Sequence, residues 1–446
     1  MSTRTDNAPY AVIAGLGTTG LSCARHLRAH GWRLAVTDTR AAPPMLAELT
    51  ALDARIPVRL GGLDLSLLKD AVCVVASPGL ALTEAFFVEA RRRGLEIVGD
   101  IELFARAVDA PVVGITGTNG KSTVTTLLAR MAERAPLRVR VGGNLGEPAL
   151  DLLRTGTQLY VLELSSYQLE TTSTLHCRAA TVLNVSPDHL DRYPSLDSYA
   201  AAKARIFARC DTAVINLDDP LIVAMPRNAQ RTLSFSLRAS IGADYAVATE
   251  NGEWWLTRAH APLLPLSAMK IKGLHNAANA LAALALGEAL ELPLPVMLEE
   301  LRAFPGLAHR SQWVAQVGAV TYIDDSKGTN VGATLAAVAG LPGPLVVIAG
   351  GEGKNQDFAP LAAAFRGKVR HTVLIGRDAP LIARALAGVC TLETCASMSA
   401  AVQAAARAAR PGDTVLLSPA CASLDMFKDY AQRGAMFTQA VQELAA

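Results

Sequence analysis

The chain has 446 residues, with 42 Lys plus Arg against 40 Asp plus Glu and a formal charge of +2. That near-balance argues against a nucleic-acid binder driven by a basic field, and 51% hydrophobic against 18% charged residues excludes wholesale disorder. A chain of this length predicts about two to four domains.

The apolar stretches are short and broken by Gly, Pro or charge, so neither a membrane span nor a secretory leader is read. The 7 cysteines are scattered without a CxxC pair, which suits a reducing cytoplasm. The dominant rhythm is a short β-branched run, a Gly-rich turn and an Ala/Leu-rich helix. It predicts parallel sheets flanked by helices. The first block reads as strand 10–15, helix 19–30, strand 33–37 before Asp38, strand 72–76 before Ser77-Pro78-Gly79, strand 95–98 and helix 100–107. The second starts at Pro111, with strands PVVGIT, YVLELSS and ATVLNV, and a helix over 198–210. Between Thr232 and Pro265, alternation around Trp254 and Trp255 predicts a small antiparallel insertion, and helix-rich text follows from Asn276. The third begins near Phe304-Pro305-Gly306, with strands at 320–323, 345–349, 372–375 and 414–417. The expected architecture is three α/β domains, over residues 1–100, 101–306 and 307–446.

The strongest motif is Gly114-Ile115-Thr116-Gly117-Thr118-Asn119-Gly120-Lys121-Ser122-Thr123, between a strand and a helix. Its glycines let backbone N–H groups curl around phosphate oxygens. The helix N-terminus adds positive potential, Lys121 a point charge, and Ser122 a hydroxyl for Mg²⁺. A second motif, Gly15-Leu16-Gly17-Thr18-Thr19-Gly20 with Asp38 closing the next strand, is a dinucleotide fingerprint that suits NAD or another nucleotide with a pyrophosphate. Glu163 and His189 follow strands whose carboxyl ends share one sheet edge with the phosphate loop, so a carboxylate, an imidazole and a hydroxyl are expected around one phosphate-bound Mg²⁺. Lys203 shares a helix face with Tyr199 and Phe207, and composition alone predicts a buried stem with its ammonium in water. In the third block His309-Arg310, Asp324-Asp325-Ser326-Lys327-Gly328-Thr329-Asn330, Gly350-Gly351-Glu352-Gly353-Lys354 and Ser418–Ser423 again lie at strand ends, as a further site or as ordinary cap and turn chemistry. Two other functions compete on these residues: a nicotinamide-dependent dehydrogenase, from the first motif, and a phosphate-loop ATPase that couples hydrolysis to motion.

Taken together, GTNGKST, LELSSYQLE, NVSPDHLDRY, AAKARIF, GLHNAANALAALAL, HR, DDSKGTN, GGEGKNQDF and SPACASLDMFKDYAQRG resemble the Mur ligase family, in the family's order and over essentially the whole chain. The resemblance implies a Rossmann-like N-terminal domain, a central P-loop ATPase-like domain and a C-terminal Rossmann-like domain. SPG, VGDIELF and VGGNLG in the first part resemble the members that join D-glutamate to UDP-N-acetylmuramoyl-L-alanine through an acyl phosphate. It implies that Thr18, Thr19, Asp38, Thr39, Gly79, Asn144 and His189 hold the UDP-sugar substrate. Gly117, Thr118, Asn119, Gly120, Lys121, Ser122 and Thr123, with Asn276, Arg310, Asp325 and Lys327, would hold ATP. Ser122, Glu163 and His189 would carry Mg²⁺, or Mn²⁺ in its place. Lys203 matches a lysine that the family carbamylates with CO₂, turning a repelled ammonium into an oxygen ligand and replacing the solvated reading above. Lys121, Glu163, His189 and Lys203 are then the catalytic set. Thr329, Lys354, Ser423 and Tyr430 would receive D-glutamate. Gln312 stands where relatives often carry Glu, and Tyr430 where Phe is common. A cytoplasmic monomer working on small molecules, without nucleic acid or membrane, completes the expectation.

Overall fold

The computed structural model describes residues 8–190 and 192–445, so the first seven residues and Asp191 of the NVSPDHLDRY segment lie outside it. Strands β1 (Tyr10–Ala14), β2 (Arg33–Asp38), β3 (Val58–Leu60), β4 (Cys73–Ala76) and β5 (Glu96–Val98) form a parallel sheet in the order β3-β2-β1-β4-β5. The β1 sequence, YAVIA, has no polar alternation because helices cover both its faces.

The middle sheet contains β6 (Val112–Thr116), β7 (Val139–Gly143), β8 (Leu159–Glu163), β9 (Cys177–Val182), β10 (Cys210–Asn216), β11 (Ala229–Ser236), β12 (Tyr245–Glu250), β13 (Glu253–Arg258) and β14 (Ala261–Pro265). Their order is β14-β13-β12-β11-β10-β9-β6-β8-β7. Only the β12–β13 and β13–β14 pairs are antiparallel. The expected insertion is therefore an edge extension of the main sheet starting at Tyr245, because β11 pairs parallel to β10. The third sheet has β15 (Gln312–Val317), β16 (Val320–Asp324), β17 (Leu345–Gly350), β18 (Val369–Ile375), β19 (Thr391–Thr394) and β20 (Thr414–Leu417), in the order β15-β16-β20-β17-β18-β19. It is parallel except at β15–β16.

One apolar core runs continuously from the first sheet into the middle one, joining Ile13, Val36 and Val75 to Phe104, Tyr160, Leu162 and Phe207. The third sheet buries its two faces separately: Val347 and Leu416 belong to one cluster, Val346 and Val415 to the other. That is the two-residue period of a strand covered on both sides. Within the middle sheet, β6 lies between β8 and β9, so the chain leaves it in opposite directions at a switch point. β1 sits likewise between β2 and β4. Crevices at the carboxyl ends of such strands are where ligands bind in open α/β sheets.

The helix expected over 198–210 is Leu196–Ala204 followed by a short 3₁₀ turn, Arg205–Phe207, and Cys210 already opens β10. Phe207 joins the main core while Tyr199 joins an aromatic cluster with Tyr193, so the expected stripe is split between two environments. No helix among the described residues is long and apolar enough to cross a membrane.

Candidate active site

The phosphate loop leaves β6 and turns into the helix Lys121–Arg134. Gly120 caps that helix at φ +84°, in the left-handed region, and a Cβ there would collide with Asn279 Oδ1. Lys121 curls back over the loop, its Nζ donating to the Gly117 and Thr118 carbonyls at 2.9 Å each. Lys203 Nζ approaches the same Gly117 carbonyl from the other side, at 3.0 Å. The solvated ammonium that composition suggested for Lys203 is not found: the residue is 1% exposed, and Nζ lies 4.3 Å from the centre of the Tyr199 ring. Burial lowers the pKa of both amines. Lys203, which also faces the charge of Lys121, falls well below the ordinary lysine value.

Opposite the lysines, Ser122 Oγ donates to Glu163 Oε2 at 2.5 Å, Asn144 Nδ2 donates to Glu163 Oε1 at 2.7 Å, and Arg310 Nη2 donates to Ser122 Oγ at 2.6 Å. Arg310 comes from the loop before the third sheet, so this contact spans two sheets. His189 lies past β9 at φ +56°, its ring edge-on to Tyr167 at 5.1 Å. Burial holds its pKa below the usual imidazole value despite the opposing charge of Asp188.

Three cavities surround these residues. The first, about 470 Å³, is walled by Thr18, Thr19, Asp38, Thr39, Gly79 and Asn144. The central one, about 280 Å³, collects Thr118, Lys121, Ser122, Glu163, His189 and Lys203 with Thr329 and Lys354 of the third sheet. The third, about 310 Å³, is lined by Thr123, Asn276, Arg310, Asp325 and Lys327. Asn144 walls both the first and the central cavity, whereas Asn119, Gly120, Arg310 and Lys327 wall both the central and the third. Gly117 contributes the carbonyl that the two lysines share. Ser423 and Tyr430 line none of the three. Ser423 is buried, and Tyr430 stands behind Lys327, whose Nζ is 3.9 Å from its ring centre.

In the first cavity the Asp38 carboxylate is fully engaged. Arg40 binds it through Nε at 2.8 Å and Nη2 at 2.7 Å, and it accepts from the Leu16 amide at 2.6 Å. These partners, Arg40 foremost, hold its pKa at about 2 against partial burial. Burial raises Asp325 to about 7, even though Ser418 Oγ donates to it at 2.8 Å. Burial, with Arg310 and Lys121 nearby, lowers Lys327 to about 8.

Sequence reasoning assigned no role to Asp188 and Asn330. Asp188 accepts from Lys354 Nζ at 3.0 Å and from Asn330 Nδ2 at 3.2 Å, and Asn119 Nδ2 donates to Asn330 Oδ1 at 3.4 Å. Both sat inside quoted motifs, but Asp and Asn in loops read as turn formers. Arg40, three residues past the end of the expected second strand, carried no signal at all.

Among the described residues no cluster of three or more His, Cys, Asp or Glu could hold a metal ion. The Ser122 hydroxyl and Glu163 carboxylate at the phosphate loop still fit a hard cation, because Mg²⁺ is commonly held by one or two protein oxygens plus substrate phosphates.

Three α/β units, with a phosphate loop at the switch point of the middle one and side chains of the third reaching into it, define a multidomain phosphate-loop protein. The chain matches "Mur ligase MurD-like, N-terminal domain" over residues 10–99, "Mur ligase middle domain" over 115–287 and "Mur ligase, glutamate ligase domain" over 309–421. The UDP-N-acetylmuramoylalanine–D-glutamate ligase of Methylococcus capsulatus is 50% identical over 434 residues, 97% of this chain and 95% of that protein. The proteins of that name from Nitrosococcus oceani and Pseudomonas aeruginosa are 51% and 50% identical over 440 residues, covering 98% of this chain and 97% and 98% of their own. Among solved structures, UDP-N-acetylmuramate-alanine ligase from Thermotoga maritima shares the fold at TM-score 0.61 and 19% identity, over 97% of this chain and 99% of that one. A pseudomurein peptide ligase type C from Methanothermus fervidus does so at 0.60 and 20%, over 98% and 100%. The chain belongs to the Mur ligase family.

Proposed function

We propose that this enzyme joins D-glutamate to the terminal carboxylate of UDP-N-acetylmuramoyl-L-alanine at the cost of ATP, in cytoplasmic peptidoglycan precursor synthesis. The observation that carries the reading is that the three cavities adjoin, sharing Asn144 as a wall on one side and Arg310 and Lys327 on the other. A nucleotide sugar, a reacting centre and a triphosphate then each have one of three adjoining cavities.

A carboxylate is a poor electrophile, so it must first be activated. Its oxygen attacks the γ-phosphorus of ATP, the bond to the β-phosphate oxygen breaks, and ADP leaves. The amine of D-glutamate then attacks the acyl phosphate carbon, loses a proton, and inorganic phosphate departs. Four cations besides Lys203 (Lys121, Arg310, Lys327 and Lys354) face two carboxylates, Glu163 and Asp188, in the central cavity. This excess offsets charge on the transferring phosphoryl group and on the incoming acids. Gly117 through Thr123 cradle the phosphates, with Asn276 and Asp325 at the nucleoside. Thr18, Thr19, Thr39 and Gly79 take the UDP end, and Asp38 acts as a fixed post. Thr329 and Lys354 meet D-glutamate, with Ser423 and Tyr430 on the loops behind.

Bound Mg²⁺ would draw charge from the phosphates, held by Ser122, Glu163, His189 and Lys203 as its carbamate. For that adduct the neutral amine of Lys203 attacks CO₂ and releases a proton, and burial, by lowering its pKa, favours the neutral form. We take the domains as residues 1–100, 101–306 and 307–446, acting as a monomer.

The test is ADP release with UDP-N-acetylmuramoyl-L-alanine against D- and L-amino acids, with product mass measured. Turnover confined to D-glutamate supports the reading. Equal ADP release without any amino acid refutes it.

A further inference from the structure

The scheme above leaves one fully buried cation unused. Arg433, on the helix Tyr430–Ala445, is 0% exposed and makes no ion pair among the described residues. Its hydrogen bonds all go to neutral oxygens: Nε to Ser326 Oγ at 3.0 Å, Nη2 to the Ser326 and Cys421 carbonyls at 2.8 and 3.1 Å, and Nη1 to the Ala422 carbonyl at 3.3 Å. Burial lowers it to about 10, so it keeps its charge at neutral pH. Asp324, Asp325 and Asp425 lie near enough to favour the charge but none pairs with it directly, and an interior cation with no carboxylate in contact is costly where an apolar side chain of that volume is not. A structural reason must therefore be sought in what it ties together.

Each acceptor lies one to three residues before a residue assigned above to the incoming amino acid. Ser326 precedes Lys327 and opens the turn carrying Thr329, and its hydroxyl also donates to the Tyr430 carbonyl at 2.7 Å. Cys421 and Ala422 precede Ser423. Ala422 in turn forms a two-way backbone bridge with Glu352, at 2.8 and 2.9 Å, two residues before Lys354. Gly351, at φ +129°, lets the backbone close over this point, since a Cβ would strike the Ala422 carbonyl and lie 3.3 Å from Arg433 Nη1. One guanidinium thus ties two loops directly, and a third loop and the start of the helix join them through Ala422 and Ser326. Only a planar fork with five donors can serve carbonyls from two loops and a hydroxyl at once; an ammonium cannot match these directions.

We propose that Arg433 is the positioning residue of the amino-acid pocket, fixing the loops that carry Thr329, Lys354, Ser423 and Tyr430 in one relative arrangement. The inference rests on reading those four residues as that pocket. It involves no contact between Arg433 and substrate.

The test is steady-state kinetics of Arg433→Lys and Ser326→Ala, each substrate varied in turn, with thermal midpoints recorded alongside. Lysine keeps the charge and loses the fork. Ser326→Ala keeps the fork and deletes one acceptor in a mild change that the fold should survive. Both are expected to raise the KM for D-glutamate, at least tenfold for Arg433→Lys and about threefold for Ser326→Ala. The KM values for ATP and the UDP substrate should stay within twofold. A parallel rise in all three, or a lower midpoint with unchanged kinetics, overturns the proposal. Wild-type enzyme is the control: if it does not use D-glutamate, the functional reading fails, whereas unselective variants beside an active wild type strike this inference alone.

Discussion

Replacing Lys203 by Met should remove activity while making the fold more resistant to heat. The Lys203 side chain is buried and, among the described residues, makes one hydrogen bond, to the Gly117 carbonyl. Losing that bond costs about 0.5–1.5 kcal/mol, and the carbonyl keeps Lys121 as a donor. Against this stands a desolvated amine whose pKa is held well below 10.5, by burial first and then by Lys121. In the window between the depressed folded value and 10.5, the unfolded chain binds a proton that the folded chain does not. Stability of the wild type therefore rises with pH across that window, by about 1.4 kcal/mol per pH unit from this group. Methionine, of similar length and without charge, abolishes that contribution. Thermal unfolding of both proteins at pH 8, 9 and 10 in CO₂-free buffer measures it. The variant should lead at pH 8, and its lead should shrink toward pH 10. Parallel pH profiles, or a variant that still turns over at near-normal rate, would refute the reasoning.

Lys121→Ala should lower kcat/KM for ATP by about 10²–10³-fold or more, the usual loss when one donor to a developing charge is removed. A near-normal rate in a folded variant would remove the phosphate loop from the mechanism. Asp325, raised to about 7 by burial, takes up a proton in the folded state that the unfolded chain has lost above 3.8. The fold should thus lose stability as pH climbs from about 4 to 7, at up to about 1.4 kcal/mol per unit. Asp325→Asn should flatten that part of a pH-dependent melting curve, and an unaltered curve would mean that the carboxyl is ionised throughout.

The phosphate loop and the parallel strands other than β3, β7, β10, β11 and β19 were legible because each β-branched run has both faces covered and the glycines sit where the backbone needs them. β7, with two glycines in VRVGG, and the three-residue β3 were not, because neither carries a strand signal of its own. The 198–210 stretch misled for a different reason: its helical period continues through Phe207, but the core claims Phe207 while Lys203 turns into the cleft. Glu163, His189 and Lys203 could be named from their motifs. The contact of Glu163 with Ser122, that of Lys203 with Gly117 and the place of His189 in the same cavity are tertiary facts that no spacing encodes. Asp188, Asn330 and Arg433 lay hidden for the same reason. Loop Asp and Asn look like turn formers, and an arginine on a C-terminal helix looks like surface until the loops that wrap it are placed.

In the proposed reaction phosphate passes to the acid before the amide forms. UDP-N-acetylmuramoyl-L-alanine carrying ¹⁸O in its terminal carboxylate, turned over with ATP and D-glutamate, examines that step directly by mass spectrometry of the released phosphate. One ¹⁸O per phosphate is the predicted result for each doubly labelled acid consumed. Phosphate free of label, alongside normal amide formation, would contradict the account.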